Sequence, residues 1–205
     1  MAQPNTQYGF APTINFNKKL SENEKLNFNI SSRELGFDEG EFSLQHAQTE
    51  FALVSSTKLS LYGTLALGYS YTDRRTGGNS HNLIQQFTIS NIFGSFRIGH
   101  RFATDQAFGG NRDTRFRLRY RISCQLPLSG QSVNRNEFYI KLNNEYLNQI
   151  QESNYNLQIR LASHLGFEFN DNNKVELGIE YRAGSLVREQ AQHLTLLRLI
   201  WFESL

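Results

Sequence analysis

Residues 59–71 read LSLYGTLALGYSY, and this stretch decides the fold class. Its large apolar side chains recur at every second position, so that Leu65, Leu67 and Tyr69 share one face and Ser70 lies on the other. A helix would distribute these residues around its axis, whereas a period of two is typical of a β-strand with two unlike faces. The stretch therefore predicts a strand.

The same alternation recurs along the whole chain of 205 residues. Most of the alternating segments are longer than the five or six residues that are usual in soluble proteins, and they match the roughly 9–11 residues of a strand that crosses a bilayer. The composition, with 16 Phe, 9 Tyr and only 3 Pro, also favours strands. The predicted strands are residues 7–19, 25–34, 42–54, 59–71, 82–93, 96–105, 114–126, 137–147, 155–169, 174–183 and 192–203.

These segments predict an all-β protein, a transmembrane antiparallel up-and-down β-barrel in which residues 1–205 form a single outer-membrane domain. No apolar run is long enough for a transmembrane helix. Because bacterial barrels have an even number of strands, eleven segments predict about 12 strands, within a range of roughly 10–12. Either one strand is missed near the N-terminus or one segment lies outside the wall.

The connections predict the orientation of the barrel. Short polar turns alternate with longer polar loops, and outer-membrane barrels have short periplasmic turns and longer extracellular loops. The chain starts at Met1 without a secretory signal, so we expect the mature form of an exported bacterial protein. The predicted turns are residues 21–24, 55–58, 94–95 and 170–173, and the predicted loops are residues 72–81, 104–113 and 147–154.

Charged residues alternate with apolar residues in the strands, most clearly at 115–126, RFRLRYRISCQL. Each arginine on a lipid-facing wall would cost about 2–4 kcal/mol at mid-membrane, so the arginines of a spanning strand must point into the lumen. The same rule applied to the other strands predicts one charge network in the lumen. Its members are Arg97, Arg101, Arg115, Arg117, Arg119, Arg121, Lys141, Glu145, Arg160, Glu168, Glu176, Glu180, Arg182 and Arg198.

Two interpretations of this network remain open. Enclosed charges must be paired or hydrated, and the carboxylates can form bidentate bonds with arginines that fill the lumen. We favour this filled lumen because a small barrel encloses little free space, and we expect a structural or accessory component of the outer membrane or of a larger membrane complex. The alternative is a narrow anion-preferring channel or an acidic-ligand pocket that is lined by arginine.

Patterns for catalysis and metal binding are not found. The histidines at 46, 81, 100, 164 and 193 lack a metal-binding spacing. Ser163 and His164 are adjacent and so face opposite sides of a strand, which excludes them as a nucleophile and its base. A protease-like pair of Asp and His at the outer mouth of the barrel would have to come from loop residues, and the sequence does not predict whether these side chains contact each other. The loop candidates are Asp73, His81, Asp105 and Asp113. Flexible loop tips are expected at Gly77, Gly78, Gly109 and Gly110.

We therefore expect no enzymatic activity, no metal and no cofactor, with an outer-membrane hydrolase as the weakest alternative. A formal net charge of +2 and arginines at a period of two do not indicate a nucleic-acid partner. The expected partners are outer-membrane lipid and other outer-membrane proteins. The remaining alternative is a soluble lipocalin-like barrel, in which the apolar side chains would point inward and the arginines outward.

Several short motifs support the same fold. They are RLRYR at 117–121, NEYLN at 144–148, QIR at 158–160 and LGIEY at 177–181. Their order resembles the "domain of unknown function 2490" family of predicted outer-membrane β-barrels. The resemblance implies an outer-membrane barrel without an established activity, in which the matching positions are the lumen-facing Arg and Glu residues.

Overall fold

The computed structural model describes residues 5–38, 41–109, 113–187 and 191–205 of the protein. These residues form eleven β-strands, and among them no helix is long and apolar enough to cross a membrane. Two residues that the sequence predictions named lie outside the described residues: Met1, at the start of the chain, and Gly110, at an expected loop tip. The strands are β1 (Asn5–Lys19), β2 (Glu24–Asp38), β3 (Glu41–Lys58), β4 (Gly63–Arg74), β5 (Ser80–Phe93), β6 (Phe96–Phe108), β7 (Arg115–Pro127), β8 (Glu137–Gln151), β9 (Asn154–Glu168), β10 (Asn173–Gly184) and β11 (Gln192–Ser204).

The eleven strands form one closed barrel, so the prediction of about 12 strands was wrong. Each of the eleven predicted segments corresponds to one strand, and neither an additional strand nor a segment outside the wall is needed. Consecutive strands pair antiparallel, while β1 and β11 pair in parallel from Asn5 opposite Gln192 to Asn17 opposite Ser204. With an odd number of strands the first and the last run in the same direction, and a parallel ladder satisfies their edges as well.

Proline 12 lies inside β1, where its missing N–H can be tolerated. The antiparallel ladder between β1 and β2 pairs Phe10 with Glu34 and then Thr13 with Ser31, and it omits Ala11 and Pro12. Proline cannot donate to a ladder, so a local interruption of this kind is the usual way to accommodate it in a strand. The first strand thus forms despite its proline.

The barrel has two ends, which we name after the chain termini. The C-terminal rim carries Leu205 and the connections 20–23, 59–62, 94–95, 128–136 and 169–172, and the N-terminal rim carries the start of β1 and connections such as 75–79 and 152–153. The predicted length difference between the two sets is wrong for the described residues. The longest described connection, 128–136, lies at the C-terminal rim, and the predicted loop 147–154 shortens to residues 152–153.

The physical reason is that polar residues at the predicted loop ends continue to alternate and to pair. β8 and β9 remain paired up to Gln151 opposite Asn154. At the other rim the predicted turn 55–58 belongs to β3, and the chain turns at 59–62, where Leu59 N donates to Gly63 O at 2.9 Å. Composition shows that a segment is polar, but it does not show whether the backbone groups of that segment hydrogen-bond to a neighbouring strand.

The 128–136 connection is attached to its neighbours at several points. Asn136 N donates to Glu168 O at 2.6 Å, and the Arg135 guanidinium forms an ion pair with Asp171 in the next turn of the same rim. The hydrogen bonds from Arg135 lower the pKa of Asp171. The connection is therefore long but anchored.

The two faces of the wall differ in the size and polarity of their side chains. Leu67, Leu118 and Ile179 point outward and are exposed, whereas alanines such as Ala66 and Ala103 point inward and are buried. Alternation along each strand produces this division. The inner face is therefore built mainly of small, polar and charged residues, together with a few buried large side chains such as Leu196.

Glycine 166 shows how tightly part of the inner face is packed. It lies opposite Tyr139 in the β8–β9 ladder, and the Tyr139 ring, which is fully buried, covers the space above it. A Cβ atom at position 166 would overlap this ring. The glycine thus provides the room that Tyr139 needs.

We predict that Gly166→Ala lowers the free energy of unfolding by about 1–3 kcal/mol, because overpacking displaces the Tyr139 ring. The measurement is urea unfolding in detergent micelles, followed by the fluorescence of Trp201, the single tryptophan. Gly184→Ala is the control, since the closest atom to its Cβ would be the flexible Gln158 Nε2 at 3.2 Å, and the backbone oxygen of Gln192 lies at an ordinary contact distance of 3.9 Å. Equal stability of the two variants would contradict the packing argument.

Candidate functional site

The barrel encloses a cavity of about 760 Å³ that is lined mainly by polar and charged side chains. Eleven cationic groups and four carboxylates line it. The cations are Arg33, Arg74, Arg101, Arg115, Arg117, Arg119, Arg121, Lys141, Arg160, Arg182 and Arg198, and the carboxylates are Glu50, Glu145, Glu176 and Glu180. The cavity is therefore strongly cationic although the whole chain has a formal net charge of only +2.

Most of the predicted network lines this cavity, and Arg97 and Glu168 are the two members that do not. Both lie at strand ends on the C-terminal rim, Arg97 as the second residue of β6 and Glu168 as the last of β9. The alternation assigned them to the inner face, but a residue at a strand end faces the open rim. Arg97 is accordingly exposed.

The prediction missed four charged residues of the lumen. Arg33, Glu50 and Arg74 line the cavity, and Asp105 is completely buried beside it. Asp105 was expected in a loop, yet β6 continues to Phe108. Because Asp105 lies four residues after Arg101, two further steps of the same alternation would have placed it inside.

Glu145 lies at the centre of a row of charges that crosses five strands. Arg101 on β6 lies opposite Arg121 on β7, Arg121 opposite Glu145 on β8, Glu145 opposite Arg160 on β9, and Arg160 opposite Arg182 on β10. Side chains directly opposite each other on one face are neighbours, so register alone brings this row together.

The Glu145 carboxylate receives three guanidinium groups. Its Oε2 lies 2.7 Å from Arg101 Nη2 and 2.9 Å from Arg121 Nη2, and its Oε1 lies 3.2 Å from Arg160 Nη1. The Glu145 side chain is buried, with 2% exposure. One carboxylate therefore binds arginines from three different strands, which gives the cluster two cations in excess.

Asp105 forms a second cluster nearer the N-terminal rim. It makes an ion pair with Arg117, which lies opposite it in the β6–β7 ladder, and its Oδ2 lies 2.8 Å from Arg119 Nη2. Arg117 Nη2 also donates to Asn82 Oδ1 at 3.4 Å. Here too a single buried carboxylate faces two arginines.

The remaining carboxylates lie nearer β10. Glu176 accepts hydrogen bonds from Lys141 Nζ at 2.9 Å and from the Tyr139 hydroxyl at 2.8 Å, and Glu180 pairs with Arg182 on the same strand. Each of these glutamates is matched by one cation. The excess positive charge therefore comes in part from the clusters around Glu145 and Asp105. Arg33 and Arg198 add to it, since neither forms an ion pair with a carboxylate of the described residues.

Several lumen donors have no acceptor among the described residues. Arg33 takes part in no ion pair or hydrogen bond there, and the Nε atoms of Arg101, Arg119 and Arg198 are buried without a partner. Both ring nitrogens of the buried His164 are also unpartnered. Buried polar groups normally have partners, so these donors indicate hydration or an anionic ligand.

Metal binding finds no support in the described part of the chain, where no group of three His, Cys, Asp or Glu side chains could hold a metal ion. The site is instead defined by guanidinium groups, which bind carboxylates and phosphates through paired hydrogen bonds. This set of donors is chemically suited to anions.

The fold and the site define a closed eleven-stranded β-barrel with a cationic lumen. Residues 12–191 match the family model described as "Protein of unknown function (DUF2490)", and the chain belongs to that family. The resemblance of the short motifs is thereby confirmed. Comparison with curated proteins and with solved structures found no match.

We predict that Glu145→Gln destabilises the barrel by about 3 kcal/mol, because the change leaves three half-buried guanidinium groups without their shared, buried counter-charge. Urea unfolding in micelles measures the loss. Glu168→Gln, the same substitution at the C-terminal rim and outside the cavity lining, should have little effect. If both variants unfold at the same urea concentration, the Glu145 cluster does not stabilise the barrel.

Proposed function

We propose that this protein is a bacterial outer-membrane β-barrel whose lumen binds an acidic ligand. The observation that carries the proposal is the cavity of about 760 Å³ with eleven cations and four carboxylates in its wall. Cavities of about 300–1,000 Å³ are typical of ligand sites, and clustered arginine side chains select anions. The cavity favours the pocket over the largely filled lumen that we preferred from the sequence.

The outer face of the wall supports the placement in a membrane. Its exposed side chains include Leu67, Leu118, Leu142 and Ile179, with exposed fractions of 50–61%. A monomeric soluble protein rarely exposes a contiguous apolar surface of this kind. Lipid is the partner that such a wall would require.

Aromatic residues gather near both rims of the outer face. At the C-terminal rim Phe138, Phe167, Phe169 and Trp201 form a chain of ring contacts with centroids 4.6–5.6 Å apart. At the N-terminal rim the ring of His81 contacts Tyr69, Tyr71 and Phe108. Transmembrane barrels have aromatic girdles at both interfaces.

The outward-facing charged residues of the described strands lie near the strand ends. Lys18 and Glu203 are next to last in β1 and β11, Asp73 is next to last in β4, and Glu34 lies close to the end of β2. The wall between the rims is left to uncharged side chains. This distribution is the one that a bilayer requires, with the C-terminal rim as the periplasmic end in our proposal.

The membrane placement is tested by Leu118→Arg. A charge at this outward position should destabilise the inserted barrel by about 2–4 kcal/mol and reduce the heat-modifiable folded band on gels after refolding into micelles. Leu59→Arg makes the same change in an exposed turn of the C-terminal rim and should refold normally. A monodisperse protein that folds without detergent and tolerates Leu118→Arg would exclude the membrane barrel.

The ligand proposal is tested with inositol hexakisphosphate, a compact polyanion, by calorimetric titration of the micellar protein. Arg33→Gln and Arg198→Gln should each weaken binding about tenfold, since neither cation forms an ion pair with a carboxylate of the described residues and removing either leaves Glu145 and Asp105 paired. Added salt should weaken binding further. Arg135→Gln removes one cation outside the lumen and serves as the matched control.

Two other functions are distinguished by the same preparations. An anion-selective current in planar bilayers that Arg33→Gln reduces would show a channel rather than a closed pocket. A structural or accessory role, within a complex of outer-membrane proteins and without catalysis, is favoured by the way Glu145 and Asp105 connect neighbouring strands. Absence of both ligand binding and current would support that second candidate.

A further inference from the structure

A polar cluster interrupts the apolar outer face near the N-terminal rim. His46 Nδ1 lies 2.9 Å from Glu34 Oε1, and His46 Nε2 lies 3.3 Å from Thr49 Oγ1. The Ser32 hydroxyl donates to the same Glu34 oxygen at 2.6 Å. A carboxylate, an imidazole and a hydroxyl are thus connected in series through the two ring nitrogens.

An irregularity in the ladder creates this arrangement. In a regular strand His46 and Thr49 would face opposite sides, because they are three residues apart. The β2–β3 register shifts between Arg33, which pairs with Gln48, and Glu34, which pairs with His46, so that Ala47 is an extra residue on β3. Such a bulge re-aims side chains and is common next to active sites.

We propose that Thr49, His46 and Glu34 form a catalytic triad that hydrolyses acyl-ester bonds of membrane lipids. The arrangement has the connectivity that nucleophilic ester hydrolysis requires, with a hydroxyl on one imidazole nitrogen and an orienting carboxylate on the other. Thr49 is the nucleophile, His46 is the general base and then the general acid, and Glu34 is a positioning residue that holds the imidazole tautomer.

The reaction consumes one water molecule for each ester bond. His46 Nε2 takes the proton of Thr49 while Thr49 Oγ1 attacks the ester carbonyl carbon, and the same proton then passes to the departing alcohol. The acyl–Thr49 ester is cleaved by a water molecule that His46 deprotonates, which releases a carboxylic acid and restores the threonine hydroxyl. Bonds and protons balance without a cofactor.

Other rim histidines lack this arrangement. His81 Nδ1 lies 2.6 Å from the Tyr69 hydroxyl, and His193 Nδ1 lies 2.6 Å from the Tyr181 hydroxyl. Each hydrogen-bonds a phenol through Nδ1, as expected for polar partners in an aromatic girdle. Of the outward histidines in the described residues, His46 is the one that contacts both a carboxylate and an aliphatic hydroxyl.

The position of the triad selects the substrate class. Phe51, 41% exposed, lies two residues after Thr49 on the same outer face, and Tyr8, 50% exposed, lies on the adjacent β1. His46 is itself 47% exposed. In the proposed membrane the triad lies where acyl chains meet their ester linkages, so this choice of substrate rests on the proposed membrane placement but not on the lumen ligand.

The test measures ester hydrolysis by the heat-modifiable, refolded protein in dodecyl maltoside micelles. The substrates are a phosphatidylcholine and p-nitrophenyl palmitate as acyl lipids, and p-nitrophenyl butyrate as a soluble ester. We expect Thr49→Val and His46→Gln to lower the rates by at least about 100-fold, as for removal of a nucleophile or general base. Thr49→Ser should retain activity, and Glu34→Gln should lower kcat and alter its pH profile.

Matched controls occupy the same rim. His193→Gln and Thr195→Val change the same residue types on the outer face of β11, beside Tyr181 instead of a carboxylate, and should leave the rates unchanged. Ser32→Ala removes a hydroxyl that donates to Glu34 and lies 3.4 Å from His46 Nδ1, on the side of the ring away from Thr49, and it should cost far less than Thr49→Val. A fluorophosphonate probe should label wild-type protein at Thr49 and fail to label Thr49→Val.

Three outcomes would overturn the proposal. No hydrolysis of any ester by folded protein rejects the triad and agrees with the expectation of a protein without enzymatic activity. Full activity of folded Thr49→Val rejects the assigned nucleophile. Hydrolysis of the butyrate ester alone rejects a lipid substrate. Failure of the membrane placement would appear separately, as folding without detergent and tolerance of Leu118→Arg.

Discussion

Closure of the sheet is the constraint on which the rest of the structure depends. A strand edge leaves a row of unpaired N–H and C=O groups, and a closed barrel removes every edge. Eleven strands close because β1 and β11 form a parallel ladder of thirteen residue pairs. Once the wall is closed, the alternation of each strand divides the protein into an outer apolar surface and an enclosed polar space.

The enclosed space depends on a small number of carboxylates. Glu145 and Asp105 each receive more than one arginine, and opposite positions on neighbouring strands bring these groups together. The strand register that places these residues opposite each other therefore also brings their opposite charges together. The arginines in excess of the carboxylates leave positive charge around a cavity of about 760 Å³.

The outer surface of the wall is mainly apolar, and its polar side chains form local groups, such as Gln85 with Gln106 and Thr104. His100 bonds the Tyr120 hydroxyl at 2.9 Å, and the other outward histidines lie near the N-terminal rim. Within the described residues, the bulge beside Ala47 is the place on the outer face where an acid, an imidazole and a hydroxyl come together in series. A local irregularity of the β2–β3 ladder thus produces the arrangement that we propose to be catalytic.

The sequence by itself determined the all-β class, the eleven strand segments, the family and most of the lumen-facing residues, because a period of two is a local property that side-chain order records directly. Only the tertiary structure decided the strand count, the position of the turns, and the lumen roles of Arg33 and Asp105. These depend on which backbone groups find partners across the sheet. Alternation could not predict the contact between His46 and Thr49, because a regular strand places residues three apart on opposite faces and the bulge brings these two onto the same face.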